Sequence, residues 1–291
     1  MVINKHGSFY LRSGWGTKII QAVEADNMIF SPANEQEAVD RIGLGRVMIK
    51  ALRYWADASG LTTEEKVQGG IAERRTDLFD LLEANDRYFQ KPGSLLLLHR
   101  NIALNEENAT AWYWAFNEFD KQAFSKEEFV EGLHYFLAVN EMSIKKAAVD
   151  KEFNCFKNTY LAEKKFDIKT VMDEDTYPFF GSLHLLRVNE DKKFEKAYLT
   201  KAEMPLHFLI YPIPKENPDE SSNRGQVSID KIMEEKRQVG KYFPMRYSKL
   251  IDMLLEAENK KLLTLNNNFG NRFIEFSDVQ YDRLLNEYYM E

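Results

Sequence analysis

Apolar positions in the N-terminal third recur at helical rather than strand spacing. Thr17 to Asp26 reads as a short helix. Ser31-Pro32 opens a second, with Ser as N-cap and Pro in the first turn, and it ends at Gly43. Leu44, Val47, Met48, Ala51, Leu52 and Trp55 then form one apolar stripe around a helix entered at Gly45 and stopped at Gly60. Two short helices joined by a tight, glycine-containing turn resemble a helix-turn-helix.

Further on, Lys126 to Leu161 reads as two helices split at Asn140 to Ser143. The first starts on a capping box, Ser125 with Glu128. Leu183 to Val188 and Phe194 to Leu199 flank Asn189-Glu190-Asp191 as a hairpin, and a short helix over Phe179 to Leu186 fits nearly as well. Helices are expected at Ile229 to Tyr242 and Arg246 to Lys261. Strand-like Leu263 to Leu265 and Phe273 to Phe276 follow, separated by Asn266-Asn267-Asn268-Phe269-Gly270-Asn271. Helix, helix, ribbon is the order of a winged helix. The expected fold is therefore mainly α with small β hairpins, winged-helix-like N- and C-terminal units flanking a helical centre.

At 291 residues the chain is long enough for two or three units, at roughly 150 residues per domain. Pro212 to Gly225, rich in Pro, Asn, Asp and Ser, reads as an exposed linker. The expected units are thus 1–120, 121–213 and 226–291. The most apolar runs, Leu95 to Leu98 and Leu206 to Ile213, fall far short of the ~20 residues that span a bilayer. With no apolar leader between Met1 and Tyr10, a soluble cytoplasmic protein without a membrane partner is expected.

A net charge of −7 argues against a wholly basic nucleic-acid binder but leaves a local basic face possible. The helix after Gly45 supplies one. Arg46, Lys50 and Arg53 lie within about 60° of one another, opposite the apolar stripe. Three cations on a core-packed helix after a tight turn suit phosphate and groove contact, although solvated helix faces often carry such residues too. The helix from Ser143 to Leu161 gives a weaker case: Val149, Phe153, Phe156 and Tyr160 make its apolar stripe, while Lys151, Asn154 and Asn158 face outward. Arg272, beside the C-terminal ribbon, completes the candidate DNA-binding set.

Catalytic patterns are sparse. The single cysteine, Cys155, excludes an internal disulfide and any multi-cysteine metal site, and it reads as an inert buried thiol. His6, His99, His134, His184 and His207 show no metal-ligand spacing. Gly43-Leu44-Gly45 lacks the third glycine of a dinucleotide fold, and no phosphate-loop motif exists. Pro218-Asp219 with Glu234-Glu235-Lys236 would need strands to make a nuclease centre, but the pattern offers a loop and a helix. Trp112, Tyr113, Trp114, Phe116 and Phe119 could stack bases, yet such density more often marks a core. No enzyme, cofactor or metal is expected.

His6-Gly7-Ser8-Phe9 with Arg12, Trp15 and Lys18 resembles the opening of the bacterial domain of unknown function 4007 family. Leu44-Gly45 with Tyr54-Trp55, Thr76-Asp77, Asp86 with Tyr88, and Leu96-Leu97-Leu98-His99 continue the resemblance. So do Trp112-Tyr113 with Phe116-Asn117, Asp150 with Cys155 and Tyr160, and Leu284-Leu285 with Tyr288-Tyr289. The family implies no settled activity and no catalytic residue. Its members tend to occur in defence islands beside sulfur-transfer proteins similar to phosphoadenosine-phosphosulfate reductases, as in DNA phosphorothioation. That setting implies DNA, or a protein machine working on DNA, as partner. The combined expectation is a non-enzymatic DNA-binding component of such a system. The alternative is a scaffold whose winged helices bind partner proteins, which Asp252, Glu256 and Glu258 favour at the C-terminal unit.

Overall fold

Helix α1 (Trp15–Ala25) turns Trp15, Ile19, Ile20 and Val23 inward, into an apolar core that runs from Leu11 to Tyr289. The structure is a computed structural model and describes residues 1–161, 177–268, 271–277 and 279–290. A 3-10 turn at Pro32–Asn34 leads into α2 (Glu35–Ile42). Ser31 does precede the proline in extended geometry, but its hydroxyl caps no helix; Oγ lies 3.4 Å from the Ile71 amide instead. Gly43 closes α2 at φ 73°, a left-handed turn that costs glycine least. α3 (Arg46–Ala58) follows, and α1, α2 and α3 pack on one another.

Next comes an antiparallel hairpin of β1 (Thr62–Val67) and β2 (Gly70–Arg75), in register from Thr62 opposite Arg75 to Val67 opposite Gly70. Its strands are too polar to show apolar alternation, so the pattern gave no strand there; Gln68-Gly69-Gly70 was its one visible turn signal. α4 (Asp77–Asp86) is capped by Thr76, whose hydroxyl accepts from the Phe79 amide. α5 (Pro92–Leu104) and α6 (Thr110–Asn117) form the centre: Leu95 to His99 and every residue of α6 are buried. The aromatics of α6 are therefore core.

β3 (Ala123–Phe124) precedes α7 (Lys126–Val139), which begins on the expected capping box: Ser125 Oγ accepts from the Glu128 amide, and Glu128 accepts from the Ser125 amide. α8 (Lys146–Tyr160) buries Val149, Phe153, Phe156 and Tyr160 as expected. β4 (Leu186–Val188) and β5 (Phe194–Lys196) form the expected hairpin, extended by β3 into a sheet of order β3-β5-β4. A 3-10 turn at Gly181–Leu183 occupies part of the alternative helix.

The segment after residue 205 is less open than its composition suggests. α9 (Leu206–Ile210), α10 (Pro212–Glu216) and α11 (Pro218–Ser222) follow one another, with Pro212, Ile213, Pro214 and Asn217 buried. Only the part from Pro218 to Arg224 keeps the exposed, polar character read from the sequence. The prolines here start short helices, where a missing amide costs nothing.

β6 (Gln226–Ser228), α12 (Ile229–Glu234), α13 (Val239–Tyr242), α14 (Tyr247–Asn259), β7 (Leu263–Asn268) and β8 (Asn271–Phe276) follow, with sheet order β6-β8-β7. Phe269 and Gly270 of the turn lie outside the described residues. The single helix expected over Ile229 to Tyr242 is broken between α12 and α13. The break is held by tertiary bonds: the Arg237 amide donates to Asn117 Oδ1 at 2.7 Å, and Asn217 Nδ2 donates to Gln238 Oε1 at 2.9 Å. α15 (Arg283–Met290) returns to α5, where Lys91 Nζ donates to the Tyr289 carbonyl at 3.1 Å. Among the described residues no helix is long and apolar enough to cross a membrane.

Candidate nucleic-acid interface

The turn Gly43-Leu44-Gly45 sets α3 by burying Leu44 between two exposed glycines. α3 is seated by Ile49, Ala51, Leu52, Trp55, Ala56 and Ala58. It is pinned by two polar anchors: Trp55 Nε1 donates to the Phe9 carbonyl at 3.0 Å, and Tyr54 Oη donates to the Asn108 carbonyl at 2.7 Å. The buried stripe is rotated from the one read in the sequence. Ile49 is inside, Met48 is half-buried, and Val47 is 57% exposed. Burial of Leu52 and Trp55 sets the inner direction, and Val47 lies about 140° from Leu52 around the helix.

The three cations of this helix do not share one environment. Arg46 and Lys50 are about two-thirds exposed, at 66% and 69% of their side chains. They straddle Glu35 in the first turn of α2, with Lys50 Nζ 3.1 Å from Oε2 and Arg46 Nε 3.7 Å from Oε1. Arg46 Nη2 also donates to Gln36 Oε1 at 3.0 Å. Arg53 is only 20% exposed and turns to the hairpin, with Nε 2.7 Å from Glu64 Oε1 and 3.6 Å from Glu73 Oε1. Sequence spacing could place these cations on one arc of the helix but could not identify the carboxylates facing them.

The remaining candidates sit on separate elements. Lys151 and Asn154 are exposed on α8, where Asn158 is half-buried, and Arg272 is exposed on β8 opposite Asn267. Cys155 is buried; burial, with Glu152 adding to it, pushes its thiol well above the usual value, which disfavours the thiolate. Asp219 lies on α11 and Glu234 ends α12, while Lys236 pairs with Glu118 at 2.7 Å. Among the described residues no group of three or more His, Cys, Asp or Glu is arranged to hold a metal ion. A cleft of about 240 Å³ between α1 and α2 is lined by Lys18 and Arg41, but Lys18 donates to the Ile42 carbonyl and Arg41 pairs with Glu37.

The family model described as "Protein of unknown function (DUF4007)" matches residues 3–289. Two solved structures are similar. "SspB crystal structure" is 22% identical with a TM-score of 0.82, covering 99% of this chain and 88% of that chain. "Magnesium ion-bound SspB crystal structure" is 21% identical with a TM-score of 0.81 and the same coverage. At those identities the likeness is one of fold. No curated protein matches the chain. With nearly its whole length covered by the family model, the chain belongs to the DUF4007 family.

Proposed function

We propose that the chain is a non-enzymatic DNA-binding component of a bacterial DNA-modification or anti-phage defence system of the phosphorothioation type. It acts there with sulfur-transfer or other defence-system proteins. The observation that carries the reading is α3: a helix fixed by its inner face, entered through a tight turn from α2, followed directly by a hairpin, and presenting Arg46 and Lys50 to solvent. Three helices followed by a two-stranded ribbon is the winged-helix order, in which a helix reads the groove while cations fix register on phosphates. The Glu35 contacts do not oppose this, because exposed ion pairs contribute only about 0–1 kcal/mol and a phosphate can replace the carboxylate. Lys151, Asn154, Asn158 and Arg272 are secondary contacts in this reading. The SspB-like fold and the family's defence-island setting support the assignment to such a system.

The test is a gel-shift of duplex DNA at about 50 and about 200 mM salt, with magnesium present and the DNA recovered afterwards. Retention that weakens steeply at the higher salt, with intact duplex, is expected. No retention at the lower salt overturns the DNA reading. Strand cleavage that disappears in Glu234→Ala overturns the non-enzymatic one.

One observation favours the scaffold reading at the C-terminal unit. Between Arg246 and Lys260 at its two ends, the outward side of α14 carries Tyr247, Asp252 and Leu255. Lys249 turns inward to the Leu199 carbonyl at 2.7 Å, and Glu256 and Glu258 are taken up by Lys201 and the Leu265 amide. A face that exposes Tyr247 and Leu255 and offers no cation along its middle suits a protein partner better than phosphate.

A further inference from the structure

Glu64 and Glu73 stand directly opposite each other in the β1–β2 hairpin. Like charges facing across an antiparallel pair push the strands apart, all the more so when one is buried. Glu73 is 1% exposed; Thr62 Oγ1 donates to its Oε2 at 2.7 Å, while its Oε1 accepts no hydrogen bond. The group that answers both carboxylates is Arg53. Its Nε donates to Glu64 Oε1 at 2.7 Å and lies 3.6 Å from the orphaned Glu73 Oε1. Its Nη1 also reaches the Phe30 carbonyl at 3.5 Å. The same strand leans on the same loop, where the Glu73 amide donates to the Asn27 carbonyl at 2.7 Å. One side chain from the middle of α3 thus joins the helix, the Asn27–Ser31 turn and both strands.

We propose that Arg53 is a positioning residue: it fixes the β1–β2 hairpin at a set angle beside α3 and leaves phosphate contact to Arg46 and Lys50. The inference rests on the DNA-binding reading for its functional consequence but not for the clamp itself. A guanidinium is suited to this place because its planar fork can serve two carboxylates at once, which an ammonium at the end of a flexible stem does poorly. A hairpin of two strands is marginal by itself, so its orientation depends on such an anchor. The exposed tip from Lys66 to Gly69 is the part whose placement the clamp controls.

The experiment compares the full chain with Arg53→Ala, Arg53→Lys, and Arg53→Ala combined with Glu64→Gln and Glu73→Gln. Hydrogen exchange of the free protein is the first readout. Arg53→Ala should expose the amides of residues 62–75 while those of α1 and α5 keep their protection. The triple variant should recover part of that protection, because the facing charges are gone. Unchanged exchange in the hairpin overturns the clamp, whether or not DNA binds.

DNA affinity is the second readout. Arg53→Ala should weaken binding roughly three- to tenfold with the slope of log affinity against log salt unchanged, and the triple variant should regain most of the loss. A slope reduced by about 1, without recovery in the triple variant, makes Arg53 a phosphate contact and overturns the proposal. Should the wild-type chain bind no DNA, the DNA-binding reading fails while hydrogen exchange still decides the clamp.

Discussion

At the scale of single residues, the largest stakes are buried polar groups whose hydrogen-bond partners come from distant elements. Glu152, 1% exposed, accepts from His6 Nε2 at 3.0 Å and from the Asn4 amide at 2.9 Å, and so ties the N-terminal strap to α8. Because the Ser8 amide donates to His6 Nδ1, the hydrogen on Nε2 is directed at Glu152. Glu152→Ala leaves the buried His6 Nε2–H and the half-buried Asn4 amide without an acceptor, and is expected to cost about 1–3 kcal/mol for each in denaturant unfolding. His99 sits in another buried arrangement: Tyr160 Oη is 2.9 Å from Nδ1 and the Tyr242 carbonyl, which alone would favour the charged ring, is 2.6 Å from Nε2. Burial lowers its pKa to about 4. An unfolded histidine binds its proton near pH 6.5, so the stabilisation is complete above that pH and is lost as pH falls towards 4. The loss amounts to about 3 kcal/mol at most. Glu216, pushed up to about 6 by burial, works in the opposite direction between there and its ordinary value. The two separate in His99→Gln, whose amide can serve both partners without titrating: its unfolding midpoint should fall less than wild type between pH 6.5 and 4. An equal fall in both proteins would remove His99 from the pH dependence.

At the scale of elements, packing partners decide what periodicity leaves open. The stripe read along α3 gives Val47 and Leu52 equal weight, but Val47 is mostly exposed and Leu52 is fully buried. Leu52→Ala should therefore cost about 2–5 kcal/mol, and Val47→Ala should stay within about 0.5 kcal/mol, measured by the same urea titration. Comparable losses would mean that α3 is seated differently. Elements with strong local signals were legible from the sequence: the capping box at Ser125 and Glu128, the turn at Gly43, and the ribbon of β7 and β8. Those whose reasons are non-local were not. The β1–β2 hairpin has no apolar alternation because it stands on ion pairs, and the α12–α13 break depends on Asn117, some 120 positions away. The cations of α3 were legible as a set; their division between Glu35 and the Glu64–Glu73 pair was not, because spacing carries no information about facing carboxylates.

At the scale of the whole molecule, one cluster of buried apolar residues runs from Leu11 to Tyr289, and α15 packs back on α9 and the start of α5. Gly93 at the start of α5 makes that closure possible. A Cβ there would lie 2.1 Å from Phe208 Cζ and 2.5 Å from Tyr288 Cε1. Gly93→Ala should therefore destabilise the fold by about 1–3 kcal/mol and loosen α15, seen as a lowered Tm. Connection 212–225 behaves as two halves, so limited proteolysis should cut between Pro218 and Arg224 and spare Pro212 to Asn217; early cutting in the buried half would contradict that division.

With a net charge of −7, the DNA binding proposed above requires a local basic surface, and the proposal assigns it to α3. The most direct measurement is the salt dependence of duplex binding by Arg46→Ala/Lys50→Ala, with folding confirmed by circular dichroism. Weaker binding is expected, with the slope of log affinity against log salt reduced by about 2, one for each phosphate contact removed. An affinity and slope equal to those of the wild-type chain would contradict it and remove α3 as the DNA-contacting helix.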